Sequence, residues 1–129
     1  MNYTVVLPAA GSGKRMKADK NKLLLELFGK PIFIYTLEVF QQDPNCESIW
    51  LAVKEEERSL IEELVKKYGI TKAVGFVIGG AERQDSVRAC LEMIPACDVV
   101  LVHDAARPFI EPEVIARLAK EAEIGRAHV

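Results

Sequence analysis

The sequence predicts an α/β fold: a three-layer, Rossmann-like parallel sheet with helices on both faces. Short apolar runs alternate with amphipathic helical segments, and each strand-to-strand connection is long enough for a helical crossover. The 129 residues, of which 50% are hydrophobic and 28% charged, suit one domain with a substantial core. We expect right-handed crossovers to give the strand order 3-2-1-4, which makes the ends of strands one and four neighbours.

The apolar patterns define the elements in order. Residues 3–7 form a β-branched apolar run typical of a buried parallel strand. The second, third and fourth strands are predicted over residues 49–53, 73–78 and 98–102. Helices are predicted over residues 31–41, 55–68, 85–94 and 113–123, the first with Pro31 at its first position and the second closed by Gly69. The side chains expected to face the sheet are Ile34, Leu37, Phe40, Leu60, Ile61, Leu64, Val65, Val87, Leu91 and Ile94.

Composition and charge restrict the classes of function. The net charge of -2 offers no global basic field, so we expect no nucleic-acid partner and only a local cationic site. Three cysteines (Cys46, Cys90 and Cys97) form no C-x-x-C pair, which favours a reducing compartment and a core role for the last two. The chain shows neither a signal-peptide pattern nor a membrane-spanning stretch. We therefore expect a cytoplasmic protein that does not bind membranes.

Three unusual polar stretches follow predicted strands. They are PAAGSGKRM after strand one, GGAERQDS after strand three and HDAARP after strand four. Ligands of open parallel sheets bind beyond the carboxyl ends of the strands. The sequence therefore predicts a binding site at this edge of the sheet, built from these three loops.

The stretch LPAAGSGKRM, residues 7–16, indicates an anion-binding loop. Its small residues let backbone N–H groups approach a phosphate, and five cationic residues against one acidic residue follow within nine positions. It is not a Walker A loop, because Gly13-Lys14 is followed by Arg15. It is not a dinucleotide fingerprint either, because the third glycine position holds Met16. A polyphosphate is the predicted ligand, and a solvated basic turn is the alternative.

The other two loops suggest a base site and a metal site. Gly79-Gly80 permits close approach of a flat ligand such as a base, and Ser86 is expected to cap the following helix or, as the second interpretation, to bond a ligand. Asp104 follows a buried strand, where a carboxylate facing a polyphosphate is best explained as a Mg²⁺ ligand. A turn-capping role for Asp104 is the alternative. His103 is expected to be packed rather than catalytic.

Four blocks of sequence occur in order between residue 3 and about residue 123: LPAAGSGKRM, NKLLLELFGKPI, GGAERQDSV and LVHDAARPF. Together they closely resemble the cytidylyltransferases of the non-mevalonate isoprenoid pathway. The resemblance implies a transferase that joins 2-C-methyl-D-erythritol 4-phosphate to the CMP moiety of CTP and releases pyrophosphate, with Mg²⁺ as cofactor. A pentitol-phosphate (ribitol 5-phosphate) cytidylyltransferase, which shares the fold and the first loop, is the alternative.

The resemblance also implies roles for individual residues. Arg15 and Lys22 match the catalytic cations, Asp104 matches the Mg²⁺ ligand, and Arg107 matches a residue near the methylerythritol phosphate. Because the acceptor phosphate is itself the nucleophile, this chemistry requires no general base. The implied nucleotide-binding residues are Pro8, Ala9, Ala10, Gly11, Ser12, Gly13, Gly79, Gly80, Ala81, Ser86 and Ala105.

The resemblance covers only the first part of a longer protein. Family members normally extend far beyond residue 123 and supply further strands, a dimerising arm and most acceptor contacts. We therefore expect residues 1–123 to be the nucleotide-binding part of the domain, truncated relative to the family, with a homodimer expected for the full length. Residues 124–129 (IGRAHV) back-translate to the start of a common sequencing adapter and are expected to be a non-native tail. A non-catalytic nucleotide-binding fragment is accordingly the second hypothesis for this chain.

Overall fold

A parallel sheet forms the centre of the fold in a computed structural model of the chain. The structure describes residues 2–9, 24–79, 83–94, 99–103, 113–115 and 117. The strands of the described residues are, in chain order, β1 (Tyr3–Pro8), β2 (Glu26–Leu27), β3 (Lys30–Pro31), β4 (Cys46–Val53), β5 (Ala73–Ile78) and β6 (Val100–Val102). The sheet has the order β5-β4-β1-β6, which confirms the predicted 3-2-1-4 order. All of its pairings are parallel.

Helices cover both faces of the sheet, as predicted. Helices α1 (Ile32–Gln42) and α2 (Arg58–Lys67) contribute to the larger core on one face, and α3 (Arg83–Met93) packs against the central strands on the other. A 3₁₀ turn at Glu55–Glu57 precedes α2, and residues 113–115 and 117 are also helical.

The two cores differ in size. The face covered by α1 and α2 buries large side chains such as Phe33, Leu37 and Phe40, each at most 1% exposed. The α3 face buries the smaller set of Val6, Ala52, Cys90 and Val102. Burying one large apolar side chain contributes about 1.5–3 kcal/mol, so the α1 and α2 face supplies most of the hydrophobic stabilisation among the described residues.

Two side chains predicted to face the sheet are exposed instead, so these predictions are wrong. Leu60 is 45% exposed and Leu91 is 48% exposed. Consecutive helical residues are about 100° apart, and the buried stripes are centred on neighbouring positions, Ile61 in α2 and Cys90 in α3. Both leucines therefore lie at the margin of a stripe. The other side chains of the predicted set are buried or half-buried.

A short hairpin precedes α1 and was not predicted. Strands β2 (Glu26–Leu27) and β3 (Lys30–Pro31) pair antiparallel around a turn in which Phe28 and Gly29 have φ values of 53° and 79°. Glycine adopts this left-handed backbone without strain, and consecutive positive φ values are typical of two-residue hairpin turns. Pro31 ends β3 and lies just outside α1, so its predicted position inside the helix is wrong by one residue.

Hydrogen bonds close the amino edge of the sheet around Asp43. The Tyr3 hydroxyl donates to Asp43 Oδ2 at 2.6 Å, and the Asn45 backbone N–H donates to Asp43 Oδ1 at 3.0 Å. Lys72 Nζ donates to the Asp43 carbonyl oxygen at 2.6 Å. Burial, together with the hydrogen bond to Asp43, raises the pKa of the Tyr3 hydroxyl above its ordinary value of 10.0. These contacts join the first strand, the end of α1 and the start of β5.

Candidate functional site

The carboxyl edge of the sheet is where the three predicted loops begin. The Ala9 N–H donates to the Ala52 carbonyl oxygen at 2.7 Å, and the His103 N–H donates to the Val6 carbonyl oxygen at 3.0 Å. Because β1 lies between β4 and β6, the loops after Ala9 and His103 start on neighbouring strands. The predicted adjacency of these two loops is confirmed at their first residues.

The loop after β5 starts on the same edge. The Gly79 N–H donates to the Val53 carbonyl oxygen at 2.9 Å, which continues the parallel pairing of β5 with β4. This N–H is therefore occupied within the sheet. A ligand contact at Gly79 would therefore have to use its other backbone atoms, and the predicted approach of a flat base to Gly79-Gly80 stays a prediction.

Pro8 and Ala9 form the base of the anion loop. Pro8 pairs with Ala52 and is half-buried, while the Ala9 side chain is 3% exposed and belongs to the larger core. Neither residue has a side chain that donates a hydrogen bond. A contact with a nucleotide at these positions would therefore use backbone atoms, in keeping with the small residues that follow.

Ser86 lies inside α3 and on its buried face. The helix begins at Arg83, so Ser86 is its fourth residue and not the flanking residue that caps a helix. The interpretation of Ser86 as a cap is therefore wrong, because the helix starts two residues earlier than the predicted residue 85. The side chain is 1% exposed, and Cys90 one turn further on is also buried.

The Ser86 hydroxyl has no hydrogen-bond partner among the residues that the structure describes. Leaving a buried hydroxyl without a partner costs about 1–3 kcal/mol, so a bonding group is expected to satisfy it. The amino-terminal end of α3 directly follows the loop after β5, at the carboxyl edge of the sheet. Ser86 is thus the described side chain best suited to meet a ligand at this edge.

His103 is a packed residue, as predicted. Its side chain is 1% exposed, and its ring meets the Phe40 ring edge-on with centroids 5.4 Å apart. This contact places the imidazole in the larger core beneath α1. A buried ring held against an aromatic neighbour is poorly placed to exchange protons with a substrate.

The described cysteines are structural. Cys46 and Cys90 are free and buried, and burial raises the pKa of each thiol from 9.0 to about 11. Thiols with raised pKa values are poor nucleophiles at neutral pH. The expected core role of Cys90 is confirmed, and Cys97 lies outside the described residues.

Most of the predicted site falls outside the part of the chain that the structure describes. Among the described residues no group of three or more His, Cys, Asp or Glu side chains is arranged to hold a metal ion. The predicted Mg²⁺ ligand and both catalytic cations therefore stay predictions. The predicted site residues outside the described ranges are Ala10, Gly11, Ser12, Gly13, Arg15, Lys22, Gly80, Ala81, Asp104, Ala105 and Arg107.

The described residues also line two cavities. One, of about 610 Å³, runs between α2 and the start of β5 and is lined by Val65, Ile70 and Phe76 among others. The other, of about 450 Å³, lies between the β2–β3 hairpin and α2.

In the described part of the chain, no helix combines the length and the apolar composition needed to cross a membrane.

Comparison with known proteins identifies the family of the chain. A sequence profile of 2-C-methyl-D-erythritol 4-phosphate cytidylyltransferase (IspD) matches residues 3–129. The protein of that name from Lysinibacillus sphaericus (strain C3-41) is 62% identical over 122 residues, which are 95% of this chain and 53% of the relative. The corresponding protein of Shouchella clausii (strain KSM-K16) is 48% identical over the same shares of the two chains.

Solved structures agree with this assignment. The crystal structure of Francisella tularensis 2-C-methyl-D-erythritol 4-phosphate cytidylyltransferase is similar with a TM-score of 0.73 and 30% identity, over 95% of this chain and 52% of that one. A structure of 4-diphosphocytidyl-2C-methyl-D-erythritol synthase from Anaerococcus prevotii shares the fold with a TM-score of 0.78 at 24% identity, over 94% and 51% of the two chains. The chain thus spans about half the length of its relatives. It belongs to the 2-C-methyl-D-erythritol 4-phosphate cytidylyltransferase family.

Proposed function

We propose that the full-length protein transfers CMP from CTP to 2-C-methyl-D-erythritol 4-phosphate and releases pyrophosphate. This chain would supply the nucleotide-binding part. One observation carries the proposal: two loops, after Ala9 and after His103, begin on the neighbouring strands β1 and β6. The first loop contains the predicted triphosphate-binding cations and the second contains the predicted Mg²⁺ ligand.

The proposed reaction is a displacement at the α-phosphorus of CTP. An ionised oxygen of the acceptor phosphate forms a new bond to this phosphorus, and the bond to the oxygen bridging the α- and β-phosphates breaks. The electron pair of that bond leaves with pyrophosphate. Because a phosphate monoester is already an anion at neutral pH, no side chain has to remove a proton. Arg15 and Lys22 are proposed to stabilise the negative charge that develops on the α-phosphate and on the leaving group.

The base is proposed to bind beside the start of α3. The buried Ser86 hydroxyl supports this proposal because a cytosine has both donors and acceptors that could satisfy it. Gly80 and Ala81 are proposed to complete the cytosine site, Ala105 to lie by the ribose, and Arg107 to contact the acceptor phosphate. Displacement titrations should show preference for CTP over ATP and GTP. Equal affinity for purine nucleotides would contradict the assignment.

Mg²⁺ is proposed to bind to Asp104. A single carboxylate beside a triphosphate suits this ion, which usually keeps several waters and uses one or two carboxylates together with phosphate oxygens. The chain offers such a donor next to His103, whose backbone N–H is bonded to Val6 of β1. When bound, the ion neutralises charge on the triphosphate. Asp104→Asn should raise the Mg²⁺ concentration for half-maximal activity, and an unchanged Mg²⁺ titration would exclude this role.

Two measurements test the proposed function. In the full-length protein, pyrophosphate release from CTP should require 2-C-methyl-D-erythritol 4-phosphate, and ribitol 5-phosphate should support it poorly. A preference for ribitol 5-phosphate would favour the pentitol-phosphate alternative. Calorimetric titration of the 129-residue chain with CTP and Mg²⁺ then separates binding from turnover, because a non-catalytic fragment binds without releasing pyrophosphate.

The proposal extends to cellular location and assembly. A cytoplasmic location is supported by the buried, free thiols of Cys46 and Cys90, since the reducing cytosol maintains unpaired cysteines. A homodimer is proposed for the full-length protein. Light scattering of the full-length protein after size exclusion would measure its mass, and a monomer at micromolar concentration would contradict the dimer.

A further inference from the structure

Phe28 is an unusual residue at the tip of the β2–β3 hairpin. It holds the first of the two turn positions with a φ of 53°, and Gly29 holds the second. Bulky residues rarely adopt this left-handed backbone, and asparagine, aspartate or glycine normally takes the first position of such a turn. The Phe28 side chain is also 94% exposed. Backbone strain and a large exposed apolar side chain at the same residue indicate a binding role.

An apolar cavity adjoins the hairpin. It has a volume of about 450 Å³, and its walls between the hairpin and α2 include Leu24, Leu60, Leu64 and Tyr68. Leu60 is 45% exposed, so part of this wall faces solvent. The cavity is large enough for an aromatic ring, since even cavities of about 150 Å³ accept benzene. The surface therefore carries an exposed aromatic side chain next to an apolar cavity that can accept one.

The charges around the cavity favour a second copy of this chain over a uniformly charged partner. Glu26 on the hairpin and Lys67 on α2 both line the cavity, and both are exposed. When the hairpin of one copy faces α2 of another, Glu26 of each copy approaches Lys67 of the other. A patch that holds the ring, the cavity and charges of both signs is self-complementary, which is what a two-fold contact requires.

We propose that two copies of this chain associate through a two-fold contact in which Phe28 of each copy enters the hairpin–α2 cavity of the other. The contact depends neither on the proposed catalysis nor on the arm expected to dimerise the full-length family. An aromatic side chain that fills a pocket typically contributes a large share of the binding energy of an interface. Because the patch is small, we expect a dissociation constant in the micromolar range.

The first test is sedimentation velocity of the 129-residue chain over a range of concentrations. The wild-type chain should dimerise, and Phe28→Asn should weaken the association at least about thirtyfold, because it removes the ring. Asparagine is favoured at this turn position, so the variant should remain folded, as thermal unfolding will show. A wild-type chain that stays monomeric at submillimolar concentration would overturn the inference, as would a Phe28→Asn variant that dimerises as tightly as the wild type.

A second variant tests the cavity. Leu60→Glu places a charge in the wall that the ring would contact, and it should weaken association as much as Phe28→Asn does. Leu91→Glu is the matched control, because Leu91 is 48% exposed on α3 and does not line the cavity. The control should dimerise like the wild type. Equal losses in the two glutamate variants would indicate non-specific adhesion of apolar surface and overturn the inference.

Mixing the two variants tests the two-fold geometry. The Phe28→Asn copy keeps its cavity and the Leu60→Glu copy keeps its ring, so one of the two ring-to-cavity contacts can form between them. The mixture should therefore associate more tightly than either variant alone, and failure to do so would overturn the inference. If the 129-residue chain is monomeric while Phe28→Asn lowers the unfolding temperature of the full-length protein, the rest of that protein covers the patch. This result would also overturn the proposed contact.

Discussion

The two edges of the sheet differ in whether their described polar groups are hydrogen-bonded within the protein. At the amino edge, Tyr3, Asn45 and Lys72 surround Asp43 with hydrogen bonds of 2.6–3.0 Å. At the carboxyl edge, the buried Ser86 hydroxyl has no described partner, and the adjoining sequence is rich in glycine and cationic residues. Described polar groups at the first edge bind one another, whereas the Ser86 hydroxyl at the second has no partner in the described part of the chain.

This difference indicates where stability and chemistry reside. Groups already bonded to neighbours in the protein stabilise the fold but cannot contribute to ligand binding without breaking those bonds. A polar group without a partner, or a charge beside like charges, lowers the stability of the free protein. Such a group gains a partner when a charged ligand binds. Substitutions at the amino edge should therefore affect unfolding, and those at the carboxyl edge should affect binding and turnover.

The largest expected effect is at the carboxyl edge. Lys22→Ala and Arg15→Ala in the full-length protein should each lower kcat about a hundredfold, or about 3 kcal/mol, because each removes a preorganised charge from the transition state. Steady-state kinetics with varied CTP measures this effect. Lys66→Ala, in the last turn of α2, is the control and should leave kcat unchanged. If Lys22→Ala raised only the KM for CTP, the lysine would be a binding residue and not a catalytic one.

The next effect belongs to the amino edge. Tyr3→Phe should lower the free energy of unfolding by about 2 kcal/mol, since it removes a hydrogen bond to a carboxylate, and should leave kcat unchanged. Denaturant unfolding of this variant and of Tyr68→Phe, which should be near wild type, measures the difference. A large loss of turnover in Tyr3→Phe would remove the distinction between the edges.

The same hydroxyl predicts a dependence of stability on pH. Its pKa is raised in the folded state, so the fold favours the protonated form. The stabilisation is fully present below pH 10 and is lost as the pH rises above the unfolded value. The buried thiols of Cys46 and Cys90, with pKa values raised to about 11, add a loss that starts near pH 9. Unfolding measured from pH 8 to 11 should show this decline, with a shallower slope in Tyr3→Phe.

A smaller effect is expected at Ser86, where a substitution should change CTP affinity but not the free energy of unfolding. Ser86→Ala should weaken CTP binding about tenfold, or about 1.4 kcal/mol, and leave the unfolding free energy unchanged or slightly higher without ligand. Ser48→Ala is the matched control, because the Ser48 Oγ lies 3.2 Å from Thr4 Oγ1. That variant should lose about 1 kcal/mol of stability and keep its CTP affinity. Destabilisation of the free Ser86→Ala protein would indicate a protein partner for its hydroxyl.

The smallest effect is expected at an exposed pair on the amino edge. Gln41 Nε2 donates to Thr71 Oγ1 at 2.8 Å, and solvent can replace this bond. Thr71→Val should therefore change the unfolding free energy by only about 0.5 kcal/mol and leave CTP binding intact. A loss comparable to that in Tyr3→Phe would show that exposure does not weaken the bonds of this edge.

The sequence predicted the strand order correctly, because the handedness of crossovers leaves few topologies for an alternating pattern. It did not predict the hairpin, since two-residue strands carry no periodicity. The start of α3 was predicted two residues late, which led to the wrong interpretation of Ser86 as a cap. Leu60 and Leu91 were assigned to the core because apolar spacing defines a stripe but not its margins. The roles assigned to Arg15, Lys22 and Asp104 stay predictions.

The sequence by itself determined the alternation of strands and helices, their order in the sheet, the edge at which the polar loops begin, and the family. These features depend on local periodicity and chain connectivity. Only the tertiary structure decided which contacts join distant segments. It placed the Tyr35 hydroxyl on Leu27, enclosed Asp43 at the amino edge, buried Ser86 without a described partner, and packed Gly75 against the Trp50 ring so closely that a Cβ atom would overlap it. Such contacts depend on how closely the elements pack and on which side chains are buried between them, and residue patterns do not encode either property.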